Sequence, residues 1–199
     1  MAWRSFDAAS LTSSTEMQRL DTKLAGLVLL APAVHGDERG FFMETWREDD
    51  WRSHGVPSAF VQDNHSRSRR GTVRGIHFQT HPGQGKLVRC ARGSVLDVVV
   101  DLRRGSPTFG EWESCVLDDV HGHQLWIPIG FGHGFCVLSE TADFVYKCTN
   151  YYDAATESGI RFDDADVGIE WPDIELLYSD RDRTAPRLSD VADSLPFTV

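Results

Sequence analysis

The feature that most constrains the fold is a series of short apolar runs between residues 59 and 150, each followed by turn-forming residues. The runs are AFVQDN, TVRGIHFQ, KLVRCA, SVLDVVVDL, ESCVLDD, HQLWIPIG, GHGFCVLSE and ADFVYKCTN, with Gly, Pro, Asp and Asn between them in HPGQG, RRGSPTFGE and DDVHG. Almost no sustained helical period interrupts the series. Many short strands at close spacing predict an all-β sandwich or a small barrel.

The segments before this series predict a strand pair and one short helix. The stretch LVLLAPAVHGDERGFFMET reads as strand, turn and strand, and WREDDWRSHG at residues 46–55 is the best helical candidate. Residues 1–20 are rich in Ser and Thr and have no period, so we expect a mobile N-terminal extension. The remaining residues, 21–199, can bury the core of one domain.

The charge of the chain limits the partners it can bind. Twenty Lys and Arg stand against thirty Asp and Glu, a formal net charge of −10, which argues against nucleic acid or an anionic membrane as a partner. An anionic ligand would have to be held by a local cluster. No apolar run reaches membrane-spanning length and the start lacks the order of a signal peptide, so we expect a cytoplasmic protein. Four cysteines without a CxxC pair predict buried free thiols, at Cys90, Cys115, Cys136 and Cys148.

The run TVRGIHFQ has the apolar residues of a half-buried strand, but they alternate with Arg74, His77 and Gln79 instead of with solvent-facing Thr, Glu or Lys alone. With a side-chain period of two, His77 and Arg74 fall on opposite faces of this strand. Lys86 shares a face with Val88 and Cys90 in the next strand, so it points either into the interior or to water at the strand mouth. An inward lysine is unfavourable unless an anion or a reaction uses it.

Four stretches carry a resemblance to a known family. GTVRGIHFQTHPGQGKLVR, GSVLDVVVDLRRGSPTFGEW, QLWIPIGFGHGFCVLSETADFVYKCTNYY and GIRFDDADVGIEWP, between about Leu27 and Pro186, resemble the dTDP-4-dehydrorhamnose 3,5-epimerases. The resemblance implies a cupin-type jelly roll with short peripheral helices that acts on nucleotide-linked 4-keto-6-deoxy sugars. It also implies a homodimer with strand exchange and no metal or cofactor.

The resemblance assigns roles to individual residues. The general base falls on His77, the lysine of QGKLVR on Lys86, the general acid on Tyr146, and a second histidine on His133. The aspartate that pairs with the base matches Asp182, with Asp180 as the fallback. Nucleotide and diphosphate contacts fall on two groups: Arg39, Phe42 and Glu44, which would reach the site of the other subunit, and Gln62, Asn64 and Arg74.

The chemistry of such a substrate fits these residue types. A ketone at sugar carbon 4 acidifies the protons on carbons 3 and 5, so inversion requires a base, a partner for the enolate oxygen and an acid on the opposite face. Histidine, with a reference pKa of about 6.5, suits proton abstraction near neutral pH, and a carboxylate can fix its tautomer. Lysine can neutralise the enolate, and arginine forks suit diphosphate oxygens.

Three alternatives remain open from the sequence. A mono-epimerase that inverts carbon 3 or carbon 5 alone would use the same catalytic residues. A metal-dependent cupin would need ligands such as the HxH pair His121 and His123, which sits beside Gly122 at a predicted turn. A sugar-binding module without activity would keep the arginines and aromatics but would have no use for a His, a Lys and a Tyr converging on one point.

Overall fold

The structure is a computed structural model that describes residues 16–57 and 59–199. Two antiparallel sheets pack face to face, and short helices lie around them. The strands are β1 Gln18–Leu20, β2 Val28–Ala31, β3 Val34–Asp37, β4 Gly40–Met43, β5 Gln62–Arg69, β6 Val73–Gln79, β7 Lys86–Arg92, β8 Ser94–Asp101, β9 Trp112–Asp118, β10 Gln124–Ile127, β11 Phe131–Val137, β12 Thr141–Cys148 and β13 Glu157–Gly159. The helices are α1 Glu48–Ser53, α2 Asp180–Thr184 and α3 Leu188–Val191.

The sheet order brings distant parts of the chain together. One sheet has the order β1-β2-β10-β7-β12-β5 and the other β13-β6-β11-β8-β9, while β3 and β4 form a separate hairpin. This arrangement confirms the predicted all-β jelly roll with short peripheral helices, and α1 lies within the stretch predicted as helical. Neighbouring strands are rarely consecutive in the chain, so the site between the sheets draws on residues far apart in sequence.

The main core fills the space between the two sheets. Val88 and Cys90 of β7 meet Val95 and Val99 of β8 there, together with Phe135 of β11. The alternate residues of β8 are buried too, because the chain after residue 160 covers the outer face of that sheet. Burial on both faces explains why SVLDVVVDL reads as a nearly continuous apolar run.

Each outer face is covered by a different part of the chain. Trp51 of α1 packs with Leu87 and Trp126 on the six-stranded sheet. Leu188 and Phe197, near the end of the chain, pack on the five-stranded sheet. Both layers leave one end of the inner space open, and the candidate site lies there.

Some sequence expectations differ from the structure or fall outside it. Strand β5, Gln62–Arg69, begins later than the run AFVQDN and is largely polar, because it is an edge strand whose inner face borders a cavity. Residues 1–15 of the expected extension lie outside the described residues, and Gln18–Leu20 pairs with β2. The cysteines are free, and Cys90, Cys136 and Cys148 are buried as predicted, whereas Cys115 is only partly buried. Among the described residues, no helix is long and apolar enough to span a lipid bilayer.

Candidate active site

A cavity of about 500 Å³ opens at one end of the space between the sheets. Its walls come from β5, β6, β7, β11 and β12, and from the segment that leads into α2. Five of the residues for which the sequence predicted catalytic roles line it: His77, Lys86, His133, Tyr146 and Asp182.

His77 and Asp182 form a hydrogen-bonded pair at the rim of this cavity, which is called the outer pair below. His77 Nε2 lies 2.6 Å from Asp182 Oδ1, and the two side chains are 27% and 5% exposed. Burial opposes ionisation of Asp182, but the hydrogen bond and charge of His77 and the contacts with Ser179 prevail and lower the pKa of the carboxyl. Asp180 is 93% exposed and pairs with Arg183, so Asp182 is the partner of His77.

The segment that carries Asp182 is docked on the start of β6 from outside. The amide of Leu177 donates to the Gly71 carbonyl at 2.8 Å, and the amide of Val73 donates to the Leu177 carbonyl at 2.7 Å. Gly71 has a positive φ of 80°, and a Cβ there would overlap the Glu175 carbonyl oxygen. Glycine at position 71 therefore permits the approach that brings Asp182 to His77.

The Ser179 hydroxyl then fixes the direction of α2. It accepts a hydrogen bond from the Asp182 amide at 3.1 Å and so caps the first turn of the helix. The same bond fixes the backbone of Asp182, whose side chain contacts His77.

A second histidine and aspartate form an inner pair deeper in the barrel. His133 lies directly opposite His77 in the β11–β6 register. Its Nε2 is 2.9 Å from Asp97 Oδ2, and the side chains are only 8% and 0% exposed. Phe144 stacks on the His133 ring at 6.0 Å. Sequence reasoning missed Asp97, which looks like a polar interruption within the apolar run SVLDVVVDL.

Lys86 points inward, which resolves the alternative left open by the sequence. It lies on the face of β7 that carries the core residues Val88 and Cys90, and it lines the cavity. Burial lowers the pKa of the Lys86 ammonium, against the opposing fields of Cys148, Glu157 and Asp97. No carboxylate of the described residues lies within ion-pair distance of its Nζ, so the ammonium can meet a ligand.

Tyr146 approaches the cavity from the neighbouring strand. It pairs with Val88 of β7 on one side and with Asn64 of β5 on the other, so its ring lies on the inner face of the sheet. Burial raises the pKa of the Tyr146 phenol, which keeps the hydroxyl protonated at neutral pH. A protonated phenol can donate a proton.

Arg74 lines the same cavity as His77, so the prediction of opposite faces was wrong. The β11–β6 register shifts between His133, which pairs with His77, and Phe135, which pairs with Arg74. Three steps along β6 therefore match two steps along β11, and this bulge reverses the alternation of faces. Arg74 Nε donates to Ser68 Oγ at 3.1 Å, which holds the arginine at the cavity edge.

A smaller recess of about 250 Å³ adjoins the cavity and shares His77, Lys86 and Tyr146 with it. Gln62 and Asn64, both predicted to bind substrate, line this recess and hydrogen-bond to each other at 3.0 Å. The recess shows that the predicted binding amides and the predicted catalytic residues face connected spaces.

Two further charged residues, Glu157 and Arg181, border these spaces and were not predicted. Glu157 Oε2 accepts hydrogen bonds of 2.7 Å from both the Tyr152 hydroxyl and Arg181 NH1. Arg181 neighbours Asp182 in the chain, which is the one signal in the sequence that could have pointed to it.

Arg39, Phe42 and Glu44 belong to the β3–β4 hairpin and its end, and they do not line the cavity. Arg39 Nε bonds to the Asp37 carboxylate at 3.1 Å, and Glu44 contacts Arg47 at 3.3 Å. Phe41 and Phe42 are 62% and 67% exposed. Their predicted role in the site of another subunit stays a prediction.

The HxH pair is engaged elsewhere. His121 Nδ1 lies 2.9 Å from Asp118 Oδ2, and the rings of His121 and His123 are 5.4 Å apart. Burial lowers the pKa of His123. Within residues 16–57 and 59–199, no group of three or more His, Cys, Asp or Glu side chains is arranged to hold a metal ion.

Comparisons with known proteins show which family the chain belongs to. The sequence model of the family described as dTDP-4-dehydrorhamnose 3,5-epimerase matches residues 21–190. A protein of that name from Shigella flexneri is 47% identical, over 87% of this chain and 97% of its own length. A dTDP-4-dehydrorhamnose 3-epimerase from Streptomyces niveus is 43% identical, over 86% and 84%. The crystal structure of dTDP-6-deoxy-D-glucose-3,5-epimerase from Legionella pneumophila in complex with dTDP-4-keto-L-rhamnose is 42% identical, with a TM-score of 0.89 over 92% of this chain and 99% of that one.

Proposed function

Because this chain belongs to the dTDP-4-dehydrorhamnose 3,5-epimerase family, we propose that it converts dTDP-4-dehydro-6-deoxy-D-glucose to dTDP-4-dehydro-L-rhamnose. The chain is thus an isomerase, and inversion would take place at carbons 3 and 5 of the sugar. The observation that carries the proposal is the contact of 2.6 Å between His77 and Asp182 on a cavity that Lys86 and Tyr146 also line.

In this proposal His77 is the general base. With Nε2 donating to Asp182, Nδ1 is the nitrogen left to accept a proton from carbon 3 or carbon 5. Asp182 stabilises the imidazolium that forms and holds the ring in one orientation. A single base serves both carbons because the ketone at carbon 4 lies between them.

Lys86 would stabilise the enolate and Tyr146 would return the proton. An ammonium group aimed at a developing oxyanion in a water-poor site supplies roughly 3 to 4 kcal/mol, by analogy with measured oxyanion donors. Tyr146, held protonated by burial, donates to the opposite face of the enolate and so inverts the carbon. His133, which lies opposite His77 on the neighbouring strand, would add a second hydrogen-bond donor to the site.

Substrate binding would use the arginine at the rim and the amides of the recess. Arg74 offers a planar donor fork for the diphosphate oxygens, and Gln62 and Asn64 offer hydrogen bonds to the nucleotide. A complex of this chain with dTDP, measured by calorimetry, tests these roles, since Arg74→Ala should weaken binding by about 1.5 to 3 kcal/mol for a lost charged hydrogen bond.

We further propose that the protein works as a homodimer in which the β3–β4 hairpin completes the partner's site. The hairpin presents Phe41 and Phe42, two large exposed aromatic side chains, and Arg39 beside them. Burying these rings against a second copy would remove apolar surface from water. Light scattering at the assay concentration tests the proposal, and an active monomer would contradict it.

Solvent deuterium incorporation tests the reaction itself. Incubation with dTDP-4-keto-6-deoxyglucose in D₂O should label carbons 3 and 5, and added chelator should leave the labelling unchanged. The Streptomyces niveus relative, named as a 3-epimerase, supports a second candidate in which carbon 3 alone is inverted. Labelling and inversion at one carbon would favour that candidate, and no labelling would favour a sugar-binding module.

A further inference from the structure

We propose that Glu157 is a positioning residue for the outer pair, because its ion pair with Arg181 keeps the neighbouring Asp182 against His77. The ion pair of Glu157 and Arg181 is named the latch. The inference rests on the proposed function, in which Asp182 orients His77 as the general base. Neither residue of the latch touches the substrate in this scheme, since both act through Asp182.

The first observation is the geometry of the latch. Arg181 donates to Glu157 Oε2 at 2.7 Å, and the Tyr152 hydroxyl donates to the same oxygen at 2.7 Å. The side chains of Arg181 and Glu157 are 52% and 16% exposed. Burial opposes ionisation of Glu157, but the hydrogen bonds of Arg181 and Tyr152 prevail and lower the pKa of the carboxyl. Glu157 is therefore charged near neutral pH, and Tyr152 fixes the oxygen that Arg181 contacts.

The second observation is the strand that carries Glu157. Strand β13 pairs with β6, the strand of His77, and Gly159 lies directly opposite His77. Glu157 is two residues earlier in β13, and just before it the Thr80 amide donates to the Thr156 carbonyl at 2.9 Å. The backbone of Glu157 is thus fixed beside the strand that carries the base, and the latch ties α2 to that part of the barrel.

The third observation is how few side chains attach α2 to the barrel. The helix has five residues, and some of its polar groups bond to one another. Arg183 contacts Asp180 at 3.0 Å, and the Thr184 hydroxyl donates to the Asp180 carbonyl at 2.8 Å. In the described part of the chain, Arg181 and Asp182 are the α2 residues whose side chains hydrogen-bond to the barrel. Because these two are consecutive, release of Arg181 loosens the backbone of Asp182.

The exposure of the latch determines which property it affects. A partly exposed ion pair contributes little to global stability, because solvent screens it and because two long side chains must be ordered. A displacement of about 1 Å near the reacting groups, by contrast, can lower a rate by roughly 10²-fold. Loss of the latch should therefore lower kcat and leave the melting temperature nearly unchanged.

Arg181→Gln removes the charge that Glu157 holds. The kcat of epimerisation should fall by roughly tenfold, within the range that misplacement of a reacting group produces. Arg183→Gln is the matched control, because Arg183 belongs to the same helix, is 59% exposed and pairs only within the helix, so kcat should stay at the wild-type value. Arg181→Lys keeps a cation for Glu157 and should retain most of kcat. Equal kcat values for Arg181→Gln and Arg183→Gln overturn the proposal.

A double-mutant cycle separates the latch from a direct contact with substrate. If Arg181 acts through Asp182, adding Arg181→Gln to Asp182→Asn should leave kcat/KM within about twofold of Asp182→Asn alone. A guanidinium that bound the diphosphate would instead lower kcat/KM by the same factor in both backgrounds, and that result overturns the proposal. Glu157→Gln gives the same test from the other side of the latch if Arg181→Gln fails to fold.

A measurement on the free protein tests the latch without any assay of activity. The chain has eight histidines. The proton that His77 Nε2 donates to Asp182 in the proposed tautomer is identified in ¹⁵N-histidine spectra by its loss in His77→Asn. Its exchange with water should be roughly tenfold faster in Arg181→Gln than in the wild type and unchanged in Arg183→Gln. Equal exchange in all three proteins overturns the latch. Faster exchange in Arg181→Gln, together with a wild type that does not epimerise, would refute the proposed function and leave the latch intact.

Discussion

The two histidine–aspartate pairs of the barrel have the same chemical groups and different surroundings. His77 and His133 lie opposite each other on neighbouring strands, and each contacts one aspartate. The outer pair takes its aspartate from a segment docked from outside, and His77 is 27% exposed. The inner pair takes Asp97 from a barrel strand, and its side chains are 8% and 0% exposed.

The difference in exposure indicates which pair can exchange protons. A general base must pick up a proton from substrate and lose it to solvent, so partial exposure suits the outer pair. The inner pair is almost completely buried, with Phe144 stacked on the His133 ring, so it exchanges protons with solvent less readily than the outer pair. Burial, not residue type, distinguishes the two roles.

The largest effect is expected from His77→Asn. Loss of the base should reduce epimerisation by roughly 10²–10⁴-fold and abolish deuterium exchange at carbons 3 and 5 together. The control is His121→Asn, which removes a histidine that pairs with Asp118 outside the cavity and should keep full exchange. Near wild-type epimerisation by folded His77→Asn would assign proton abstraction to another residue and end the distinction between the pairs.

A smaller loss is expected from Gly71→Ala, which touches neither histidine. The added Cβ would overlap the Glu175 carbonyl oxygen and displace the segment that carries Asp182, so activity should fall by roughly 10²-fold while the inner pair stays intact. Gly105→Ala is the matched control, because Gly105 also has a positive φ but a Cβ there meets only ordinary contacts. Circular dichroism and kcat measure the outcome. Equal activities of the two variants would show that the docking of this segment does not control the outer pair.

Ser179→Ala should have a milder effect on the same segment. Loss of an N-cap destabilises a helix by about 1 kcal/mol, which should lower kcat several-fold by loosening Asp182. Ser179→Asp restores an acceptor at the cap and should recover most of kcat. If Ser179→Ala and Ser179→Asp lose the same activity, the hydroxyl acts in another way than as a cap.

The smallest effect is a difference in the pH dependence of stability. The pKa of Asp182 is lowered in the folded protein, so its stabilisation is present above the unfolded value of about 3.9 and is lost as pH falls through the lower folded value. Burial raises the pKa of Asp97, so Asp97 destabilises the folded protein as pH rises through the unfolded and folded values.

Urea unfolding of Asp182→Asn and Asp97→Asn across about pH 3 to 6 measures this difference. The free-energy deficit of Asp182→Asn relative to the wild type should shrink toward low pH. The stability of Asp97→Asn relative to the wild type should instead improve as pH rises. The same sign in both variants would contradict the assignment of opposite environments to the two pairs.

The sequence predicted the fold well because the strand signals are local. The apolar run of β8 and the short helix around Trp51 needed only composition and spacing to be recognised. The edge strand β5 was displaced in the prediction because its polar sequence, QDNHSRSR, lacks an apolar period.

The site was less predictable because it depends on contacts over long separations. The outer pair joins residues 105 positions apart, and its assignment required the family resemblance. Asp97 contacts His133 across 36 positions with no sequence signal. The predicted face of Arg74 was wrong because one extra residue in β6 changes the register. The glycine inside the run, Gly75, has a φ of 138° and was the one signal in TVRGIHFQ for such a bulge.

The weak docking of the segment that carries Asp182 also affects how the protein responds to heating. This segment meets the start of β6 through one bridge, Thr72 with Leu177, which consists of two backbone bonds from Leu177 to Gly71 and Val73. By contrast, β12 is paired along its length with both neighbours. Segments with few backbone bonds open at lower free energy than the strands they rest on. On warming, we expect Asp182 to leave His77 while the barrel is still folded, so that catalysis fails reversibly at a temperature below the melting point.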